Sequence, residues 1–212
     1  MEKVVILLGG GIDSTTVLAS LLHSYGSRNI YALFIDYGQK ALEGELASCN
    51  YFCHKYGVPL VVAKVEINKL ANCAIMKGTK VGESSRENIL EGRNAIFIAM
   101  AVTYATSIGA KHIYTGFHLD DPDTQVYPDC TPKFAQSFNN YVDSYLQPEF
   151  QGVRLCTPFN YMTREDIVKY AVRLDVEILK KSFTCYEEGT EECGECVHCK
   201  KKKQLIKTAG LS

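Results

Sequence analysis

The chain has 212 residues, 46% of them hydrophobic, and its 23 basic residues almost balance 24 acidic ones, giving a formal charge of -1. This length and composition fit one α/β domain with a small appendage, and the near-neutral charge argues against binding nucleic acid through bulk electrostatics. Because the chain has neither an apolar run of about 18 residues nor the layout of a signal peptide, we expect a cytoplasmic protein without a membrane partner.

Short β-branched runs alternate with longer amphipathic patterns along most of the chain. The predicted strands cover residues 4–8, 29–35, 59–65 and 111–115. The predicted helices cover residues 14–25, 41–56, 94–108, 132–146 and 162–174, the last with Thr163 as its N-cap. Such alternation is typical of parallel strands joined by right-handed crossover helices. We therefore expect an α/β fold with a Rossmann-like, parallel five-stranded sheet and helices on both faces.

Two segments lack any periodicity, residues 73–92 and residues 117–131. Each joins predicted elements of the sheet, and the second is rich in aspartate. Ligands of open α/β sheets bind beyond the carboxyl ends of the strands, so both segments are candidate walls of a site. The alternative is that they are ordinary surface connections.

Three consecutive glycines, Gly9 to Gly11, separate the first strand from the first helix and are followed by Asp13 and Ser14. This arrangement is either a tight turn or an anion site, since bare backbone amides at a helix N-terminus favour phosphate. The lysine of a Walker loop is missing, and Ser14 stands where a dinucleotide loop would have its last glycine.

Four of the nine cysteines lie within 15 positions, in the spacing C-x7-C-x2-C-x2-C. They are Cys185, Cys193, Cys196 and Cys199. Four thiolates this close suit a closed, structural Zn²⁺ site, with an iron–sulfur cluster as the rival. We therefore expect an α/β domain over residues 1–180 and a zinc knuckle over residues 181–212, in which the lysines at 200–203 form a solvated face.

The stretch GGGIDSTT, residues 9–16, resembles S-G-G-x-D-S, the phosphate loop of the N-type ATP pyrophosphatases, with Gly9 in place of the usual serine. Together with the C-terminal cysteines, it makes the chain similar, nearly end to end, to the 7-cyano-7-deazaguanine synthase family, as a divergent member. Other segments of that family occur in order at residues 35–39 (IDYGQ), 91–94 (EGRN), 127–130 (YPDC) and 184–186 (TCY).

This resemblance implies an ATP-dependent ligase that converts 7-carboxy-7-deazaguanine and ammonia into 7-cyano-7-deazaguanine, through an adenylate and an amide. It implies ATP, Mg²⁺ and a structural Zn²⁺ as cofactors. It also implies small molecules rather than nucleic acid as partners, and pairing as a homodimer. Transfer of the acid to AMP provides the leaving group, so the protein would need little covalent chemistry of its own. Positioning of the reactants and neutralisation of charge would supply most of the rate.

The resemblance also implies roles for individual residues. The catalytic candidates are Asp13, Ser14, Arg93 and Asp129. The candidates for binding ATP, with Asp13 near Mg²⁺, are Leu8, Gly9, Gly10, Gly11, Ile12, Asp13, Ser14, Thr15, Thr16, Arg93 and Asn94. The candidates for binding the deazaguanine are Tyr127, Asp121 and Asp129, of which Asp129 would accept from the guanine-like N–H edge.

The segments around the expected acceptor site depart from the family pattern. The stretch before Tyr127 is longer than in the family, and Thr131 stands where arginine is common. A divergent relative could adenylate a related carboxylate and pass it to another acceptor. A tRNA-thiolating ATP pyrophosphatase with Cys130 as the sulfur carrier is a second alternative, and a non-catalytic nucleotide-binding module is a third.

Overall fold

A parallel five-stranded sheet forms the centre of the fold, in the order β3-β2-β1-β4-β5. The computed structural model describes residues 2–71, 73–80, 86–118, 128–208 and 210. The strands are β1 (Val4–Leu7), β2 (Ile30–Asp36), β3 (Leu60–Lys64), β4 (His112–Tyr114) and β5 (Arg154–Cys156). All neighbouring strands pair in parallel. The predicted fold class is confirmed.

Helices cover both faces of this sheet. They are α1 (Ile12–Tyr25), α2 (Leu42–Tyr56), α3 (Arg93–Ile108), α4 (Pro132–Tyr145), α5 (Arg164–Leu174), α6 (Glu177–Lys181) and α7 (Val197–Thr208). Successive side chains of β1 point to opposite faces: Val4 and Ile6 pack with α1, α2 and α5, whereas Val5 packs with α3 and α4. Double burial of this kind explains why the strand sequences are almost continuously apolar.

The strand order reverses at β1, with β2 and β3 on one side and β4 and β5 on the other. At such a switch point the loops after the two central strands leave a crevice at their carboxyl ends. The glycine loop follows β1, and residues 115–118 follow β4. Gly116 approaches α1 so closely that a Cβ there would lie 2.6 Å from the Ser14 nitrogen, which only glycine allows.

The structure contains three elements that the sequence patterns did not locate: the short β5 and α6, and the 12-residue α7. β5 has three residues and α6 has five, which is too short for a periodic pattern. Helix α1 begins at Ile12 rather than at residue 14, because Gly11 in extended conformation is its N-cap. The predicted cap of α5 is confirmed, since Thr163 Oγ1 accepts from the Asp166 nitrogen at 3.1 Å.

The C-terminal segment packs on the α/β domain through Phe183 and Lys202. The Phe183 nitrogen donates to the Gly10 oxygen at 2.9 Å, and its ring lies directly against Gly44 of α2. Lys202 is buried and donates to the Ser182 oxygen at 2.7 Å, so the lysine run is not the uniformly solvated face that we expected. The boundary at residue 180 stays a prediction. In the part of the chain that the structure describes, no helix is long and apolar enough to cross a membrane.

We expect Gly44→Val to lower the free energy of unfolding by about 2 kcal/mol, because its side chain would overlap the Phe183 ring. Urea denaturation followed by circular dichroism measures this. Ala47→Ser, at an exposed position of the same helix, is the matched control and should change stability by less than about 0.5 kcal/mol. In Phe183→Ala the ring that a valine at position 44 would overlap is gone. The double variant Gly44→Val/Phe183→Ala should therefore be no less stable than Phe183→Ala alone. If the losses of stability of the two single variants simply add, this packing is contradicted.

Candidate functional site

A cavity of about 310 Å³ opens at the carboxyl end of the sheet, beside the switch point. Four parts of the chain form its wall: the glycine loop, the end of β2, the start of α3 and the C-terminal segment. Residues 115–117 and Arg164 complete it. Because these parts are distant in sequence, only the fold brings them together.

The glycine loop turns sharply at Gly10, whose φ of 74° is in the left-handed region. A side chain there would collide with the Glu45 backbone oxygen, so this position requires glycine. The Gly10 oxygen accepts from Ser48 Oγ at 2.8 Å and from the Phe183 nitrogen at 2.9 Å. The first-turn amides of α1 lack intrahelical acceptors and carry the positive end of the helix dipole, so this end of the cavity suits phosphate.

Ser14 closes the glycine loop, since its Oγ accepts from the Gly9 nitrogen at 3.2 Å. Leu8, Gly9, Gly11 and Ile12 line the cavity with it. Thr15 and Thr16 do not present their hydroxyls there: both side chains are buried, and Thr16 donates to the Ile12 oxygen at 2.7 Å. The assignment of these two threonines to ATP binding stays a prediction.

Asp13 lies beside two basic side chains that the sequence analysis missed, His118 and Arg164. Its Oδ2 is 3.3 Å from His118 Nε2 and 3.9 Å from the Arg164 guanidinium. Burial alone would raise the pKa of the Asp13 carboxyl, but the hydrogen bond and charge of His118 and the charge of Arg164 lower it. The carboxylate is therefore ionised at neutral pH. Its Oδ1 is buried and has no hydrogen-bond partner among the described residues.

Arg93 starts α3 and lies against two aromatic rings of the cavity. Its guanidinium is 5.4 Å from the centre of the Tyr37 ring and 5.8 Å from that of Phe97. It donates to the Tyr37 hydroxyl at 3.0 Å. The neighbouring Asn94 also lines the cavity and donates to Cys130 Sγ at 3.7 Å. Arg93 thus places a fixed positive charge opposite the glycine loop.

A second missed group surrounds Glu45, in the first turn of α2. Gln39 Nε2 donates to Glu45 Oε2 at 2.9 Å, and both residues line the cavity. Burial raises the pKa of the Glu45 carboxyl, against the lowering effects of Gln39 and Arg93. The segment IDYGQ pointed to Tyr37 and Gln39, but no local pattern pointed to Glu45, because its place depends on how α2 packs beside β1.

The residues predicted to bind the deazaguanine are not brought together in the cavity by the described part of the structure. Tyr127 and Asp121 lie outside the described residues. Asp129 is half-buried, in a 3₁₀ turn at Pro128–Cys130, and is not among the residues that line the cavity. The role assigned to each of the three stays a prediction.

The four clustered cysteines converge at the C-terminus, with all Sγ atoms within 4.8 Å of one another. Cys185 Sγ lies 3.5 Å from Cys193 and 4.0 Å from Cys196, and Cys193 lies 3.9 Å from Cys199. Four sulfurs about 2.3 Å from a central ion in a tetrahedron are roughly 3.8 Å apart, so this cluster could bind one metal ion such as zinc. Backbone N–H groups that donate to these sulfurs, at 3.4 to 3.5 Å, support their thiolate form.

Side chains next to these cysteines form part of the cavity wall. Tyr186 and His198 are stacked with ring centres 3.7 Å apart, and both line the cavity. Thr184 and Lys202 line it as well, and Glu192 binds both of them. The cysteine cluster is thus connected to the site through Thr184, Tyr186 and His198, which directly precede or follow its cysteines.

The switch-point crevice, the glycine loop and the four-cysteine element define an α/β protein with a fold of the PP-loop, ATP pyrophosphatase class. In agreement, the fold is similar to the U34-tRNA thiolase NcsA from Methanococcus maripaludis with its [4Fe-4S] cluster, with a TM-score of 0.54 and 18% identity. That comparison covers 98% of this chain and 64% of the thiolase. At this identity the likeness shows the fold alone.

The family model for queuosine biosynthesis protein QueC matches residues 3–210, and the chain belongs to this family. It is 30% identical to the 7-cyano-7-deazaguanine synthase of Thermoplasma volcanium, over 100% of this chain and 89% of the relative. It is 31% identical to the 7-cyano-7-deazaguanine synthase of Thermoplasma acidophilum, over 93% of this chain and 84% of that relative. It is 30% identical to the same enzyme of Marinomonas, over 99% of this chain and 95% of that relative. The predicted resemblance is confirmed, and it indicates a synthase of the queuosine pathway.

We expect Cys196→Ser to lose bound metal and to lower the melting temperature by about 5 °C or more, because one of four ligands is removed. Mass spectrometry of the metal and thermal unfolding measure the two effects. Cys156→Ser is the matched control, since Cys156 is a half-buried cysteine outside the cluster and should keep the metal. An unchanged metal content in Cys196→Ser would contradict this ligand set.

Proposed function

We propose that this protein is an ATP-dependent, C–N bond-forming ligase that converts 7-carboxy-7-deazaguanine and ammonia into 7-cyano-7-deazaguanine. One observation carries the proposal. In a chain of this family, the glycine loop at the start of α1 lies beside His118 and Arg164. This loop lines a cavity whose wall also carries aromatic and charged side chains. Such a cavity offers one end to a triphosphate and another to a flat, acidic heterocycle.

The chemistry explains why a phosphate loop is needed. A carboxylate is a poor electrophile, so its oxygen first attacks the α-phosphorus of ATP and pyrophosphate leaves. Ammonia then forms a bond to the carbonyl carbon, AMP leaves, and an amide results. A second activation, at the amide oxygen, lets the nitrogen lose its two protons as AMP departs, which gives the nitrile. Each step develops negative charge on phosphate oxygens, which fixed donors stabilise.

The residues around the glycine loop suit these steps. We assign the triphosphate to the amides of residues 9–14, with Ser14 holding the loop closed. Arg164 and Arg93 lie on the cavity wall, where they would neutralise phosphate or carboxylate charge. The buried, unpartnered Oδ1 of Asp13 is an oxygen donor of the kind that Mg²⁺ prefers, so Asp13 would hold this ion.

The four cysteines would hold a structural zinc ion. Their sulfurs are spaced for one tetrahedral ion, whereas an iron–sulfur cluster distributes its thiolates over several irons. With four protein ligands the ion would have no open position for substrate. Its contribution would be to hold Phe183, Tyr186 and His198 against the site.

The direct test is incubation of the purified protein with ATP, Mg²⁺, ammonium and 7-carboxy-7-deazaguanine, followed by mass analysis. We expect the amide and then the nitrile, with one AMP and one pyrophosphate for each activation. AMP formation with the acid but transfer to another nucleophile would favour a different acceptor. Absence of acid-dependent AMP formation would contradict the proposal.

We expect Asp13→Ala and Asp13→Asn to lower acid-dependent AMP formation by about 100-fold or more. Both variants lose the ionised carboxylate that would hold Mg²⁺ beside the phosphates. The fold should persist by circular dichroism. Asp143→Ala, at a partly exposed aspartate paired with Arg154 of β5, should retain activity. Normal turnover in the Asp13 variants would contradict the assignment of the loop.

A further inference from the structure

Glu45 presents one carboxylate oxygen that nothing in the described structure engages. Its Oε2 accepts from Gln39 Nε2 at 2.9 Å. Its Oε1 has no hydrogen-bond partner among the described residues, and no cation of that part of the chain lies within the 4.0 Å that defines an ion pair. The residue lines both the main cavity and the smaller one beside it. This oxygen of a half-buried carboxylate is therefore available to donors from a ligand in the cavity.

Gln39 fixes the direction of this carboxylate. Gln39 is 2% exposed, its Oε1 accepts from the Tyr37 nitrogen at 2.9 Å, and its Nε2 donates to the Ile35 oxygen at 3.2 Å. These two backbone bonds determine which end of the amide faces Glu45, so the Nε2 group must face it. One carboxylate oxygen is thereby held, and the other is left for the cavity.

The surroundings of Glu45 suit a flat ring. The Tyr37 and Phe97 rings lie 5.1 Å apart between centres, and Tyr186 borders both cavities with Glu45. Aromatic walls bind planar heterocycles by offset stacking and by apolar burial. A carboxylate in the same wall selects among such heterocycles, because it can only accept hydrogen bonds.

We propose that Glu45 is the specificity-determining residue for the deazaguanine, and that its carboxylate accepts from the ring N–H and the 2-amino group of the guanine-like edge. This inference rests on the proposed function. A guanine-like edge offers adjacent donors, whereas the corresponding edge of adenine places a ring acceptor there, which a carboxylate repels. The site would thus separate the acid substrate from the adenine of ATP. Asp129, which was predicted to have this role, is half-buried and is not among the residues that line the cavity.

Gln39 and Arg93 are the described groups that stabilise the carboxylate form of Glu45. Burial raises the pKa of its carboxyl, while the hydrogen bond from Gln39 and the charge of Arg93 lower it. The other titratable groups that act on this network are the Tyr37 and Tyr186 hydroxyls and the Cys49 thiol on α2. Because the Glu45 carboxylate is partly desolvated before the ligand arrives, a hydrogen bond from a ligand donor contributes more binding free energy there than at an exposed site.

The test compares two ligands on three proteins by calorimetry: 7-carboxy-7-deazaguanine and its analogue without the 2-amino group, on wild type, Glu45→Gln and Glu43→Gln. Glu43 is an exposed residue of the same helix and serves as the matched control. We expect Glu45→Gln to weaken binding of the acid by at least about tenfold. Wild type and Glu43→Gln should bind the analogue about tenfold more weakly than the acid. Glu45→Gln should bind the two ligands with the same affinity. Thermal unfolding checks that the variants fold.

Three results would overturn the inference. They are equal affinity of wild type and Glu45→Gln for the acid, undiminished preference of Glu45→Gln for the 2-amino group, and a loss of affinity for a non-hydrolysable ATP analogue instead of the acid. Failure of the proposed function is distinguishable. A wild type that binds the acid through Glu45 without converting it contradicts only the reaction, and a wild type that binds neither ligand contradicts both.

Discussion

The carbonyl oxygen of Gly10 is the acceptor on which the rest of the site depends. It accepts from Ser48 of α2 and from the backbone of Phe183, and the missing side chain of Gly10 lets the Glu45 backbone approach. With its oxygen held by two donors, the loop cannot rotate without breaking buried hydrogen bonds, each costing about 1–3 kcal/mol when left unpaired. The amides that remain are therefore preorganised for an anion before any ligand arrives.

The same contact makes the C-terminal element part of the site rather than a separate appendage. Phe183 directly precedes the cysteine segment, and Lys202 and Glu192 form a largely buried ion pair that also holds Thr184 and the Ser182 oxygen. Breaking such a pair leaves a buried charge and is strongly destabilising. Order in the cysteine segment is thereby coupled to order in the glycine loop, through the hydrogen bond from Phe183 to Gly10.

The net charge of -1 says little about what the cavity binds. Basic groups converge beside the glycine loop, where His118 and Arg164 lower the pKa of Asp13, and Arg93 lies across from them on aromatic rings. Glu45 is the acidic counterpart at the aromatic wall, and burial raises its pKa. This local separation of charge, inside a cavity with low-dielectric walls, matters more for recognition than the total.

Four of the five strands, the glycine loop after β1 and the cluster of four cysteines that could bind a metal ion were predicted from the sequence. Each depends on local information: strand and helix periods, bare backbone at a helix start, and close ligand spacing. The sequence could not place β5 or α6, which are too short to show a period. It also did not find His118, Arg164 or Glu45, since these reach the cavity only through the reversal of strand order at β1 and the packing of α2 and α5. Tertiary structure alone decided which charges face one another, because contacts between residues far apart in the chain leave no periodic trace in its sequence.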